Sequence, residues 1–137
     1  MAKFLLKTEP TEYSFDDLVR DKKTTWSGVS APPALKHIRS MRKGDQAFIY
    51  HTGDEKQIIG IAKIISNSYP DPKAKDEKLV VVDIQAEKKL SAPVTLAVVK
   101  SIKELSSMPL VRIGRLSVQP ITDKEWDIII SLSKNPK

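Results

Sequence analysis

Gln46-Ala47-Phe48-Ile49-Tyr50-His51-Thr52-Gly53-Asp54-Glu55-Lys56-Gln57-Ile58-Ile59-Gly60-Ile61-Ala62-Lys63-Ile64-Ile65-Ser66 is the stretch on which the fold turns. Two apolar runs rich in β-branched residues flank a polar segment around Gly53, Asp54 and Glu55, the pattern of a β-hairpin. The spacing predicts strands over 46–51 and 57–66. Gly60, inside the second, marks a bulge or a close approach to the backbone. Leu79 to Glu87, with Val80, Val81 and Val82 in succession, predicts a further strand. Phe4 to Lys7 predicts another, which stops before Pro10 because proline lacks the amide a ladder needs.

Short helices fill the intervals. Ser14 reads as an N-cap, with Asp16 and Asp17 in the first turn of a helix through Leu18 and Val19. Trp26-Ser27-Gly28-Val29 is expected to be irregular. Pro33 suits the first turn of a helix over Ala34 to Met41, with Ala34, Leu35, Ile38 and Met41 on one face and Lys36, Arg39 and Arg42 on the other. Tyr69-Pro70-Asp71-Pro72 reads as an exposed, stiff connector. Pro93 opens a helical stretch to Ile102 with Thr95 as a plausible N-cap. Thr122-Asp123-Lys124-Glu125 is a capping box, and the helix after it turns Trp126, Ile129, Ile130 and Leu132 inward. Residues 133–137 are expected to fray. Strands joined by hairpins and separated by short helices predict an α+β fold, a small mixed sheet or open barrel. A doubly wound parallel sheet is excluded by the same pattern.

Bulk properties limit the function classes. At 137 residues the expectation is a single domain over 1–137 with a core that needs no staples. There is no cysteine, which removes disulfides and thiolate metal sites. The apolar run near Met1 is too short for a signal peptide, and no stretch is long enough for a membrane span. The expectation is a soluble intracellular protein with no membrane partner, cytoplasmic or nuclear according to its source. A formal net charge of +6 favours an anionic partner such as nucleic acid, although a dispersed lysine surface also serves solubility.

Little in the chain suggests catalysis. The two histidines, His37 and His51, lack metal-ligand spacing, and the five glycines form no phosphate loop. There is no Gly-x-Ser-x-Gly elbow. A triad of His51, Glu9 and Ser117 can be drawn, but so can similar triads in many chains. No catalytic residue, cofactor or metal is expected. Glu9, between a strand and Pro10, is open to three readings: a group accepting from the amino edge of a base, a loop cap, or a partner for Arg115. Lys7 is either an anion ligand or an edge-strand lysine.

Trp26, in Thr-Thr-Trp-Ser-Gly-Val, carries the sharpest functional reading. Hydroxyl and imidazole groups near an indole suit a planar heteroaromatic ligand, stacked on its face and hydrogen-bonded at its edge. The competing reading is a core tryptophan. On the first, Trp26→Ala abolishes base selectivity with little effect on folding.

The motifs Phe-Leu-Leu-Lys-Thr-Glu-Pro-x-x-Tyr-Ser at 4–14, Trp-x-Gly-Val at 26–29, Ile-Arg-Ser-Met-Arg-Lys-Gly-Asp at 38–45 and Tyr-His-Thr-Gly at 50–53 occur in order. Ser68-Tyr69-Pro70-Asp71-Pro72, Pro93-Val94-Thr95-Leu96 and Arg115-Leu116-Ser117-Val118-Gln119-Pro120 follow. From Lys3 to Trp126 the chain resembles the EVE domain family. The resemblance implies a PUA-like open β-barrel of about five to six strands with flanking short helices, related to YTH reader domains. It also implies a non-catalytic reader that holds a modified base of DNA or RNA in an aromatic pocket. By the same resemblance the pocket draws on Lys7, Thr8, Glu9, Trp26, Gly28, Val29, Tyr50, His51, Thr52, Leu116 and Ser117. Lys36, Arg39 and Arg42 are expected at phosphates, with Lys7 beside them. The chain departs from the family after Val29. Many members carry Arg-Asn-Tyr-Gln-Ala-Arg-Asn there, against Ser30-Ala31-Pro32-Pro33-Ala34-Leu35-Lys36. The missing arginine and asparagine favour the rival expectation, a module for a nucleoside or other planar metabolite.

Overall fold

In the computed structural model, which describes residues 1–135, the sheet orders its strands β2-β6-β4-β3-β1-β7, with β5 also paired to β6. The strands are β1 (Lys3–Thr8), β2 (Lys23–Trp26), β3 (Gln46–His51), β4 (Gln57–Ile64), β5 (Tyr69–Pro70), β6 (Val80–Thr95) and β7 (Val118–Ile121). Five helices accompany them: α1 (Phe15–Asp21), α2 (Pro32–Ser40), α3 (Leu96–Ser101), α4 (Pro109–Arg112) and α5 (Asp123–Lys134), with a 3₁₀ turn at Lys103–Leu105. This is an α+β fold on an open, unclosed barrel.

β3 and β4 form the antiparallel hairpin read from the sequence. β1 lies parallel to β3, from Lys3 opposite Gln46 to Thr8 opposite His51, so the chain between them must cross over one face. That crossover carries α1, β2 and α2. β7 closes on the other side of β1, antiparallel. β6 is the spine, pairing with β4, β2 and β5.

The central strands are buried on both faces, which is why they read as continuous apolar runs. On β1, Phe4 and Leu6 enter one core with Phe15, Trp26, Leu35, Ile38 and Ile49. Leu5 faces a second core with Phe48, Tyr50, Trp126 and Ile129 beneath the C-terminal helices. There the Trp126 ring stacks on Phe48, with centroids 3.8 Å apart. The capping boxes at Ser14 with Asp17 and at Thr122 with Glu125 are both formed, and Thr95 caps α3.

Several local expectations require correction. Trp26 ends a strand instead of lying in an irregular segment, because β2 finds its ladder on β6, far away in sequence. Tyr69–Pro70 pairs with Val80–Val81, and the Tyr69 hydroxyl donates to Asp83 at 2.6 Å, so this connector is tied to the sheet. Pro93 remains in β6, where the register with β4 shifts and a missing amide is tolerated. α5 continues through Lys134 with Ser133 buried, while Ile130 and Leu132 are half-buried. Positions 136 and 137 of the expected frayed tail lie outside the described residues.

Gly60 meets both parts of its reading. The ladders on either side of it shift register, and a Cβ built there would stand 2.5 Å from the Phe15 ring. Gly60→Ala must displace a fully buried phenylalanine, with an expected cost of about 1–3 kcal/mol. Urea denaturation should show the midpoint lowered with the slope unchanged.

Candidate functional site: a cleft at the open seam of the barrel

The barrel fails to close because β2 is free on one edge and β7 on the other. A cleft of about 570 Å³ opens at this seam. Lys7, Thr8 and Glu9 at the end of β1 form one side, with Ser117 just before β7. Thr24, Thr25 and Trp26 of β2 form the other, and Ser27 through Ala31 continue that wall as a rim. Glu12 and Tyr13 complete the lining.

Trp26 is 8% exposed and belongs to the core, while its remaining surface lines the cleft. The core reading of this residue holds, and its residual surface faces the cleft. Its partner is Tyr13, whose ring meets the indole edge-on at 74° with centroids 6.4 Å apart. The Tyr13 hydroxyl donates to Asp21 at 2.9 Å. Burial, and then that bond to a carboxylate, push the phenol above its usual range, so it stays protonated. Asp21 in turn pairs with Arg20 at 3.0 Å. Tyr13 thus braces Trp26 and forms an aromatic corner with it.

The expected edge-reading side chains are committed elsewhere. The Thr8 hydroxyl donates to the Tyr13 carbonyl at 2.6 Å. The Glu9 carboxylate accepts from the Thr11 amide and hydroxyl at 3.2 and 3.0 Å, so of its three readings the loop cap is the one formed. It also lies against Gly53, where a Cβ would come within 2.6 Å of its Oε2; the positive φ of 73° is a second reason for glycine there. Lys7 lines the cleft at β1, yet its ammonium donates to the Gly114 carbonyl at 2.8 Å and lies 5.8 Å from the centroid of the Tyr50 ring. Burial lowers the pKa of this lysine.

Tyr50, His51, Thr52 and Leu116 do not line the cleft. Tyr50 is buried in the second core. His51 is 5% exposed, and both ring nitrogens are engaged. Nε2 accepts from the Phe15 amide at 3.0 Å, which fixes the tautomer in which Nδ1–H donates to Glu55, also at 3.0 Å. That bond holds the Glu55 carboxyl below its usual range. His51 anchors the start of α1. The Thr52 hydroxyl faces the Thr8 carbonyl at 3.3 Å, and Leu116 packs in the first core. Gly28 and Val29 are at the rim, Gly28 with a φ of 81°.

The α2 cations also lie outside the cleft lining. Lys36 and Arg39 are exposed on the outer face of the helix, and Arg42 is exposed just beyond its end. Arg39 donates to the Lys78 carbonyl at 2.7 Å and Arg42 to the carbonyls of Arg39 and Met41, bonds that orient the guanidinium groups without neutralising them. The sequence did not single out Glu12, Tyr13, Thr24, Thr25, Ser27, Ser30 or Ala31 as cleft residues. Tyr13 was visible as part of a motif, whereas the threonines become cleft residues only through β2.

Fold and site together define a class: an open-barrel α+β domain with an aromatic, hydroxyl-lined cleft at its seam. The chain belongs to the EVE domain family, whose model matches residues 2–132. It is similar to human thymocyte nuclear protein 1, at 32% identity over 165 aligned positions covering 96% of this chain and 73% of the relative. Among solved structures, a Rhodopseudomonas palustris protein determined by NMR is 42% identical with a TM-score of 0.94, covering 100% of this chain and 96% of that one. The structure of human THYN1 protein in complex with DNA containing 5-methylcytosine is 30% identical with a TM-score of 0.90, covering 98% of each chain.

Two substitutions separate scaffold from surface. Trp26→Ala, expected from the sequence to spare folding, should instead cost about 3–5 kcal/mol, as for other buried aromatics, whereas Trp26→Phe should keep most of that. His51→Ala should cost about 1–3 kcal/mol by leaving the buried Phe15 amide without an acceptor. Urea midpoints measure both.

Proposed function

We propose that this chain is a nucleic-acid-binding module that takes a modified base into the seam cleft, and that it is not a catalyst. The observation that carries the reading is the likeness over nearly the whole chain to a human structure holding 5-methylcytosine-containing DNA. The cleft itself supports it. An aromatic corner with a hydroxyl-rich lining suits a flat, uncharged heterocycle, and a base extruded from a duplex is such a group. Unstacking that base costs a few kcal/mol, which stacking on the corner and hydrogen bonds in the cleft must offset.

Phosphates belong outside. The carboxylates of Glu9 and Glu12 line the cleft, and the Lys7 ammonium is held at Gly114. α2 begins at the rim with Pro32 and Pro33, which have no amide hydrogens to offer an anion. Its exposed face carries Lys36 and Arg39, with Arg42 just past its end, and these supply the backbone contacts in this reading.

Tryptophan fluorescence during titration with matched duplexes, one carrying a single 5-methylcytosine and one unmodified, tests the assignment. Tighter binding of the modified duplex, retained as a ratio when salt is raised, is expected. Equal affinities that both collapse with salt would reduce the protein to a basic surface. Binding of the free nucleoside alone would support a small-molecule module. The paired change Lys36→Gln and Arg39→Gln should weaken both duplexes alike. It should also reduce the slope of log affinity against log salt by about two.

A further inference from the structure

The free edge of β2 leaves main-chain groups for a ligand to meet, and the hydrogen-bond parity of the sheet identifies them. In an antiparallel ladder, successive residues turn their amide and carbonyl alternately toward the partner strand and away from it. Ile65 donates to the Asp83 carbonyl, so Asp83 turns its main chain toward the β4 side. Ala86 donates to the Lys22 carbonyl, so the even-numbered residues of β6 turn toward β2. Thr24 lies opposite Ile84 and Trp26 opposite Val82, which makes those two the bonded positions of β2. Thr25, between them, directs its N–H and C=O off the sheet, and it lines the cleft.

Nothing among the described residues takes up this pair. Among the described residues no hydrogen bond to the main chain of Thr25 lies outside the ladder, and none is made by the main chain of Ser27, Gly28, Val29 or Ser30. The Thr25 side chain is occupied, donating to Asp83 at 2.9 Å. Of the side chains expected to read a base edge, Thr8, Glu9 and His51 bond internally, while Ser117, on the opposite wall, keeps a hydroxyl with no hydrogen bond among the described residues.

We propose that the β2 edge reads the edge of the bound ligand with its main chain, Thr25 donating its N–H and accepting at its carbonyl beside the Trp26 indole. The ligand class is a planar heterocycle presenting an adjacent donor and acceptor on one edge, such as a base with an exocyclic amino group next to a ring nitrogen. The exchange is that of a peptide strand added to a sheet edge, with a base in place of the strand. This assignment rests on the cleft being the base site. It adds one fixed backbone pair opposite the Ser117 hydroxyl, in place of the contacts expected from Thr8, Glu9 and His51.

Proline is tolerated in an edge strand where the amide points away from the ladder, so Thr25→Pro removes the donor without breaking a β2–β6 bond. Thr25→Ala removes the hydroxyl and keeps the amide. Affinity for the duplex carrying one 5-methylcytosine is measured for both variants against the unaltered chain. Thr25→Pro is expected to bind at least about ten-fold more weakly than Thr25→Ala. Should the proline variant fail to fold, the α-hydroxy analogue of threonine at position 25 replaces the N–H by an ester oxygen and is expected to give the same loss. Equal affinities for the amide-retaining and amide-lacking proteins overturn the backbone assignment and leave the cleft reading standing. An unaltered chain that does not distinguish modified from unmodified DNA overturns the cleft reading and this assignment with it.

Discussion

The parallel pairing of β1 with β3 is the constraint on which the rest depends. It brings the N-terminal strand beside the hairpin in a register that sets Thr8 opposite His51. Parallel neighbours cannot be joined by a tight turn, so residues 9–45 must travel over one face before β3 begins. That path lays α1 and α2 on the first core and deposits β2 against β6, across the sheet from where it started. The same register places Glu9 against Gly53 and lets His51 accept from the first amide of α1. One ladder thus fixes both the crossover and the floor of the seam.

Such economy has a consequence for recognition. The polar side chains most prominent in the sequence near the cleft are those that hold this crossover in place. Thr8 ties the strand end to Tyr13, Glu9 caps the turn at Thr11, and His51 anchors α1. His51, buried and bonded at both ring nitrogens, cannot turn to a ligand without leaving the Phe15 amide unsatisfied, at a cost of about 1–3 kcal/mol. Among the described residues, unengaged polar groups sit instead on the β2 edge, on the rim beyond it and at the Ser117 hydroxyl across the seam.

The sequence showed the hairpin because two long β-branched runs enclose a turn, and it showed three helix starts because Ser14, Thr95 and Thr122 carry capping side chains. These signals are local. β2 was illegible for the opposite reason: Lys-Thr-Thr-Trp is short, half-exposed and has no alternation of its own, and only the ladder to Val82–Gln85 makes it a strand. Tyr69–Pro70 is similar, being ordered by β6. Of the residues named from the motifs, Lys7, Thr8, Glu9, Trp26, Gly28, Val29 and Ser117 line the cleft. His51 lies outside the lining, because a buried imidazole bonding a distant amide and one facing a cleft occupy the same motif. Likewise, the alternation of β1 placed Lys7 near the site without revealing that its ammonium is bound at Gly114.

Charge completes the division of labour. The chain carries a net +6, yet the cleft lining adds two carboxylates and only one cation, whose charge lies against a carbonyl. Coulomb attraction therefore does not draw an anion into the seam; in the proposed role, desolvation and the aromatic corner select for a neutral ring there. After the Trp-x-Gly-Val motif this chain has Ser30 and Ala31 at the rim, and its next cations lie a helix turn or more along α2. In the proposed role, a long-range, salt-sensitive attraction on one surface and a short-range, salt-insensitive fit in another vary independently, so affinity for a polyanion and selectivity for one base are separable.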